Sequence, residues 1–120
     1  MEKRFRFEDL EIWRNAAQMS GTLFGIADRL DQQKRFRFAE QLRAATLSIT
    51  NNIAEGSGST SDPEFAQFLN ISRRSTFEVA NILMVLSSNG QLDGVEISGL
   101  LSALDEQSRM TLAFLRRLRS

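Results

Sequence analysis

The chain has 120 residues with 15 basic and 15 acidic side chains, a formal net charge of 0, and neither histidine nor cysteine. That length suits a single domain over residues 1–120 with a core large enough to need no disulfide or metal. The missing residue types exclude disulfides, thiol nucleophiles, zinc knuckles, the commonest general base and the commonest transition-metal ligand.

Balanced charge removes the strong overall field that would gather nucleic acid or anionic membrane. Every basic residue except Lys3 and Lys34 is nonetheless arginine, the side chain of bidentate carboxylate and phosphate contacts. The longest unbroken aliphatic run, Ile82-Leu83-Met84-Val85-Leu86, falls far short of the roughly 20 residues that span a bilayer. The start Met1-Glu2-Lys3-Arg4-Phe5-Arg6 is charged throughout and does not read as a secretory leader. The expectation is a cytoplasmic protein with no membrane partner.

Apolar residues recur at steps of three and four, the helical period. A first helix is expected from about Glu8 to Leu30. One of its stripes is Leu10, Trp13, Ala17, Phe24 and Ala27; the other is Ile12, Ala16, Met19, Leu23, Ile26 and Leu30. Two stripes exceed what one partner helix covers, so this helix is either central in its bundle or part of a subunit interface; the expected assembly has some of Ile12, Met19, Leu23 and Ile26 facing a neighbouring copy. A second helix runs from about Gln33 or Phe36 to Glu55, with Phe38, Leu42, Ala45 and Ile49 inward and Gly56 as a left-handed stop.

Ser61-Asp62-Pro63-Glu64 reads as a capping box opening a third helix that ends near Ser88. Its seam is Phe65, Phe68, Ser72, Ser75, Val79, Ile82 and Leu86. Asn89-Gly90 is its stop. Asp93 with Glu96 forms a second capping box, opening a fourth helix to about Leu118 along Ile97, Leu101, Leu104, Ser108, Thr111 and Leu115. No useful strand alternation appears. The predicted fold is all-α, an antiparallel up-down-up-down four-helix bundle.

Lys3-Arg4-Phe5-Arg6-Phe7 recurs identically as Lys34-Arg35-Phe36-Arg37-Phe38. Cations interleaved with rings suit single-stranded nucleic acid. They equally suit a helix start, where phenylalanine staples the first turn and arginine stays solvated. In an antiparallel bundle Lys3, Arg4 and Arg6 share an end with Arg116, Arg117 and Arg119. Glu8, Asp9 and Glu11 dilute that patch.

Gln41, Ser48, Asn52 and Glu55 lie on one face of the second helix, and Ser72, Ser75 and Glu78 are similarly spaced on the third. One reading makes Glu55 and Glu78 a carboxylate pair in a ligand site; the other, preferred here, is a hydrogen-bond network that fixes helix register. On either reading Asn52 and Glu55 are expected to be buried and bonded to the third helix or the loop before it. Bundle di-iron sites need Glu-x-x-His, which this chain lacks. The Gly56–Ser61 loop lacks the Gly-Lys-Ser/Thr ending of a phosphate-binding loop. The expectation is no enzyme, no cofactor and no metal.

Gln41-Leu42-Arg43-Ala44-Ala45, Ser48-Ile49 and Asn52-Ile53-Ala54-Glu55-Gly56 together resemble the signature of the proteins encoded by intervening sequences in 23S ribosomal RNA genes. Leu10-Glu11-Ile12-Trp13 resembles that family's opening motif, and Phe65, Phe68, Leu69, Ser75 and Glu78 its third-helix pattern. The resemblance covers nearly the whole chain. It implies a four-helix bundle assembled as a ring, a homopentamer, with Trp13, Gln41, Ser48, Asn52, Glu55, Gly56, Ser75 and Glu78 as structural motif residues. A related branch, the accessory variability determinant of diversity-generating retroelements, is strongly basic, binds nucleic acid and partners a reverse transcriptase. This chain departs from that branch in its balanced charge, and from the family in Arg73-Arg74.

The functional expectation is a non-catalytic oligomeric bundle with a scaffold or interaction role connected with RNA. The alternative is an RNA- or DNA-binding accessory to a nucleic-acid enzyme. Its contacts would be Lys3, Arg4, Arg6, Lys34, Arg35, Arg37, Arg73, Arg74, Arg116, Arg117 and Arg119.

Overall fold

A computed structural model describes residues 2–120, so Met1, part of the leader reading, lies outside the described residues. A 3-10 turn over Arg6–Asp9 leads into α1 (Glu11–Gln32), followed by α2 (Phe36–Ser57), α3 (Asp62–Ser88) and α4 (Gly94–Arg119). Successive helices pack closely on one another, and the α4 and α1 backbones come close at far fewer positions. Cross-links such as Ser72 on Ile49 and Gln107 on Ile12 set α2 against α3, and α4 against α1, in antiparallel register. This is the four-helix bundle that the periodicity predicts.

The helix ends follow local chemistry, with four departures from expectation. Ser61 caps α3 by accepting from the Glu64 N–H at 3.3 Å, with Pro63 in the first turn, but the Glu64 side chain does not return the bond that would complete the box. Asp93 caps α4 through the Val95 N–H at 2.9 Å, but Glu96 does not close the expected box; its carboxylate pairs with Arg29 on α1 instead. The first helix begins later than Glu8, because the Glu8 carboxylate turns back to accept from the Arg4 and Phe5 N–H groups at 2.6 and 2.8 Å. Gly56 is not a left-handed stop either. It lies inside α2, where an added Cβ would stand 2.7 Å from Phe68 Cβ and 2.8 Å from the Phe65 ring. The glycine is there for close approach of α3.

Left-handed backbone occurs at Lys34 (φ 62°) and Gly90 (φ 75°). Both end a helix in the same way: Arg35 N–H reaches back to Leu30 O, and Gln91 N–H to Leu86 O, each at 2.8 Å. These are Schellman turns. Glycine takes that conformation without cost; lysine does not.

The core joins both α1 stripes to the inner faces of the other helices. Ile12, Met19, Leu23 and Ile26 are all buried within the single chain, which overturns the expectation that they form an outward patch. A bundle helix faces two neighbours and the central axis at once, and that geometry accommodates a face of this width. Phe38, expected inward, is 42% exposed at the open end of α2. Exposed large apolar side chains also include Phe36 and Leu47 on α2 and Val95 on α4, and α3 presents Ile71, Phe77, Met84 and Val85.

The molecule measures 44 × 29 × 21 Å. Its surface of 7258 Å² exceeds the roughly 6,500 Å² usual for a chain of this mass, as a rod with one loosely closed seam requires. Among the described residues, no helix is long and apolar enough to cross a membrane.

Candidate functional site

The polar motif residues line the outer edge of the α2–α3 seam. Ser48 Oγ and Ser75 Oγ are 2.7 Å apart across it. Asn52 Nδ2 donates to Ser48 Oγ at 3.0 Å and to Ser48 O at 2.8 Å, leaving the Ser48 proton for Ser75. One turn along α3, the fully buried Ser72 hydroxyl donates to Ile49 O at 2.8 Å. Small hydroxyls here replace bulky apolar contacts, so the helices approach closely while Ser72 and the Ser48–Ser75 pair bond across the seam.

The expected burial of Asn52 and Glu55 fails. Asn52 is half-buried and bonds within its own helix, and Glu55 is exposed, as are Gln41 and Glu78. The physical reason is position: these side chains sit on the flank of α2 and α3, not between them. Nor do Glu55 and Glu78 form a pair. Counting from the Ser48–Ser75 contact at 1.5 Å per residue, they lie about 15 Å apart along the seam. That is too far to share a proton, a metal or a reacting atom. Trp13 is half-buried at the end of α1, against the Phe7 ring at 4.9 Å.

The candidate cations fall in three separate places. At one end, Arg6 lies over the Phe65 ring and Arg117 over Phe114, and those rings pack on each other at 5.4 Å. Lys3 there is held by Asp9 at 2.8 Å, while Arg4, Arg116 and Arg119 are exposed. At the opposite end Lys34, Arg35 and Arg37 are exposed and, among the described residues, in no ion pair. On the α3–α4 side Arg73 lies over Phe77 and donates Nε–H to Ser108 O at 3.3 Å, leaving Arg74 exposed beside it. No continuous basic band joins the three.

The charge shifts are local. Backbone N–H groups of Phe5 and Arg4 hold the Glu8 carboxyl below the usual glutamate range. The Lys3 hydrogen bond does the same for Asp9, and Asp31 and Asp28 raise the already high Arg43 value. No cluster of three or more acidic side chains suited to a metal ion occurs among the described residues.

Two residues escape the sequence reading. Gln107 is buried and donates to Ile12 O at 2.9 Å. Its spacing from Leu104 and Thr111 by three and four marks it as inward, a signal hidden by the more conventional seam through Ser108. Thr46 is fully buried with its hydroxyl unpartnered, on the same footing.

The geometry defines an all-α bundle whose serines Ser48, Ser72 and Ser75 register α2 on α3, while Gln41, Glu55 and Glu78 stand exposed at its surface. The chain belongs to the family described as 23S rRNA-intervening sequence protein, whose model matches residues 8–113. Among curated proteins, none matches it.

Proposed function

We propose that the protein is a non-catalytic, cytoplasmic scaffold that works as a homo-oligomer. The observation carrying this reading is the surface of α3. Phe77 and Met84 are 49% and 57% exposed on its α4 side, and Ile71 and Val85 are exposed elsewhere on the same helix. Phe77 and Met84 stand two turns apart on one face of α3 and border an apolar hollow with Leu101 and Leu104, a patch suited to covering by a neighbouring copy. A closed ring of copies would cover it, and the family resemblance supplies five as the number. The wide separation of Glu55 and Glu78 supports the non-catalytic part.

Light scattering at micromolar concentration tests the assembly. Phe77→Glu with Met84→Glu is expected to dissociate it while helical circular dichroism persists. Met19→Glu with Leu23→Glu is expected to unfold the chain, because those side chains are core. A stable monomer for the unmodified protein sinks the proposal.

A second reading, RNA binding, is favoured by one feature: Phe36 and Phe38 are 58% and 42% exposed among the unpaired Lys34, Arg35 and Arg37. Binding through them would weaken steeply with salt, and Arg35→Gln with Arg37→Gln would flatten that slope. Salt-independent binding, or none, removes this reading.

A further inference from the structure

Where α4 returns to α1 the bundle closes loosely. Two hollows of about 370 and 380 Å³ run along this seam and meet at Met110. Their extent from Leu10 to Thr22 spans roughly three helical turns of α1. The lining includes Met19, Leu100 and Met110, and thioether side chains adapt readily to an incoming surface.

Two independent features say what belongs there. The first is Gln107, 1% exposed and lining the trough. Its Nε2 donates to Ile12 O at 2.9 Å, but its Oε1 has no donor. Flipping the amide would set oxygen against oxygen at Ile12, so the unmet group is an acceptor. Nearby, Asn15 Nδ2 rests 3.7 Å from Met110 Sδ, a weak acceptor that is easily exchanged. The second is charge. Among the described residues, Glu11 and Glu106 line the trough exposed and in no ion pair, and Asp9 is already held by Lys3. The one cation among the described lining residues, Arg117, lies over the Phe114 ring.

We infer that the α1–α4 trough docks a cationic amphipathic helix of a partner protein. A gap between two packed helices is shaped for a third helix lying along it. Leucine-like anchors at helical spacing would cover Met19, Leu100 and Met110. Lysine or arginine beside them would meet Glu11 and Glu106, and one side-chain N–H would supply the donor that Gln107 Oε1 lacks. The carboxylates repel nucleic acid and acidic peptides. This inference is independent of the assembly proposed above, whose test reads α3.

The test uses the full chain and a synthetic helix of about 14 residues, built from leucine, alanine and lysine with leucines at i, i+4 and i+7. Methionine methyl NMR reads the outcome. Saturable shifts at Met19 and Met110, with Met84 on α3 unmoved, are expected. The dissociation constant should rise about tenfold in Glu11→Gln with Glu106→Gln, and about tenfold in Gln107→Met, the latter checked for folding by circular dichroism. Equal binding of a glutamate-for-lysine peptide overturns the inference, as do equal shifts at Met84, affinities unmoved by the variants, or no binding. Shifts at Met19 and Met110 on concentrating the protein alone would assign the trough to a second copy, and overturn it too.

Discussion

The two seams of this bundle solve the same packing problem differently. Between α2 and α3, side chains shrink to serine and glycine: Ser48 meets Ser75, Ser72 reaches Ile49 O, and Gly56 admits the Phe65 and Phe68 side chains. Between α1 and α4, long side chains stand in the way. Gln107 and Asn15 bridge the gap, and methionines line what they leave open. Short hydroxyls satisfy themselves at close range and let backbones approach; long amides hold the helices apart and keep one acceptor unmet. The number of hydrogen bonds across a seam therefore says little about how tightly it is packed.

The largest test of that contrast is one substitution made in two places. Gly56→Ala is expected to cost about 2–3 kcal/mol, because its Cβ would collide with a Cβ that cannot swing away. Gly25→Ala on α1, with nothing within 4 Å, is expected to gain about 0.5–1 kcal/mol from helix propensity. Urea denaturation midpoints compare the two, and shifts of the same sign would break the distinction.

Ser72→Ala comes next, with an expected loss of about 1 kcal/mol for its buried bond to Ile49 O. On the open seam, Gln107→Met exchanges one bond for removal of an unmet acceptor, so thermal melting is expected to show a change within about 1 kcal/mol, neutral to stabilising. A loss above twice that would mean the amide holds the seam together.

The smallest effect concerns the N-terminal turn at the end of the open seam. Glu8 titrates below its ordinary value of 4.5 because two backbone N–H groups favour its charged form. The folded carboxyl has the lower pKa, so its contribution is fully present above the ordinary value and is lost as pH falls from there through the folded one. Fluorescence of Trp13, which touches Phe7, is expected to report loosening of the turn on acidification. Glu8→Gln should remove that response.

Helix number, order and most core positions were readable because the 3.6-residue period and the turn residues agree. The identical pentapeptides show where reading stopped. In Lys3–Phe7 the segment folds back, with Phe7 on Trp13 and Arg6 on Phe65. In Lys34–Phe38 the same residues end one helix and start another, leaving both rings exposed. Five residues carry no information about which surface waits beside them. The same limit explains Gly56. A glycine near a helix end suggests a left-handed turn locally, whereas its use here is set by two phenylalanines on the next helix.

The thin return of α4 onto α1 also bears on how the chain reaches its fold. The extensive packing lies between helices adjacent in sequence, joined by short turns. Structures built from such local contacts fold fast, on a microsecond-to-millisecond scale, because little chain entropy is lost before contacts form. Only the closure of the last helix on the first spans the whole chain, and there the backbones come close at the fewest positions of the packed helix pairs. Under hydrogen exchange the ends of the chain would therefore open well below the global unfolding free energy, while α2 and α3 stay protected to the last.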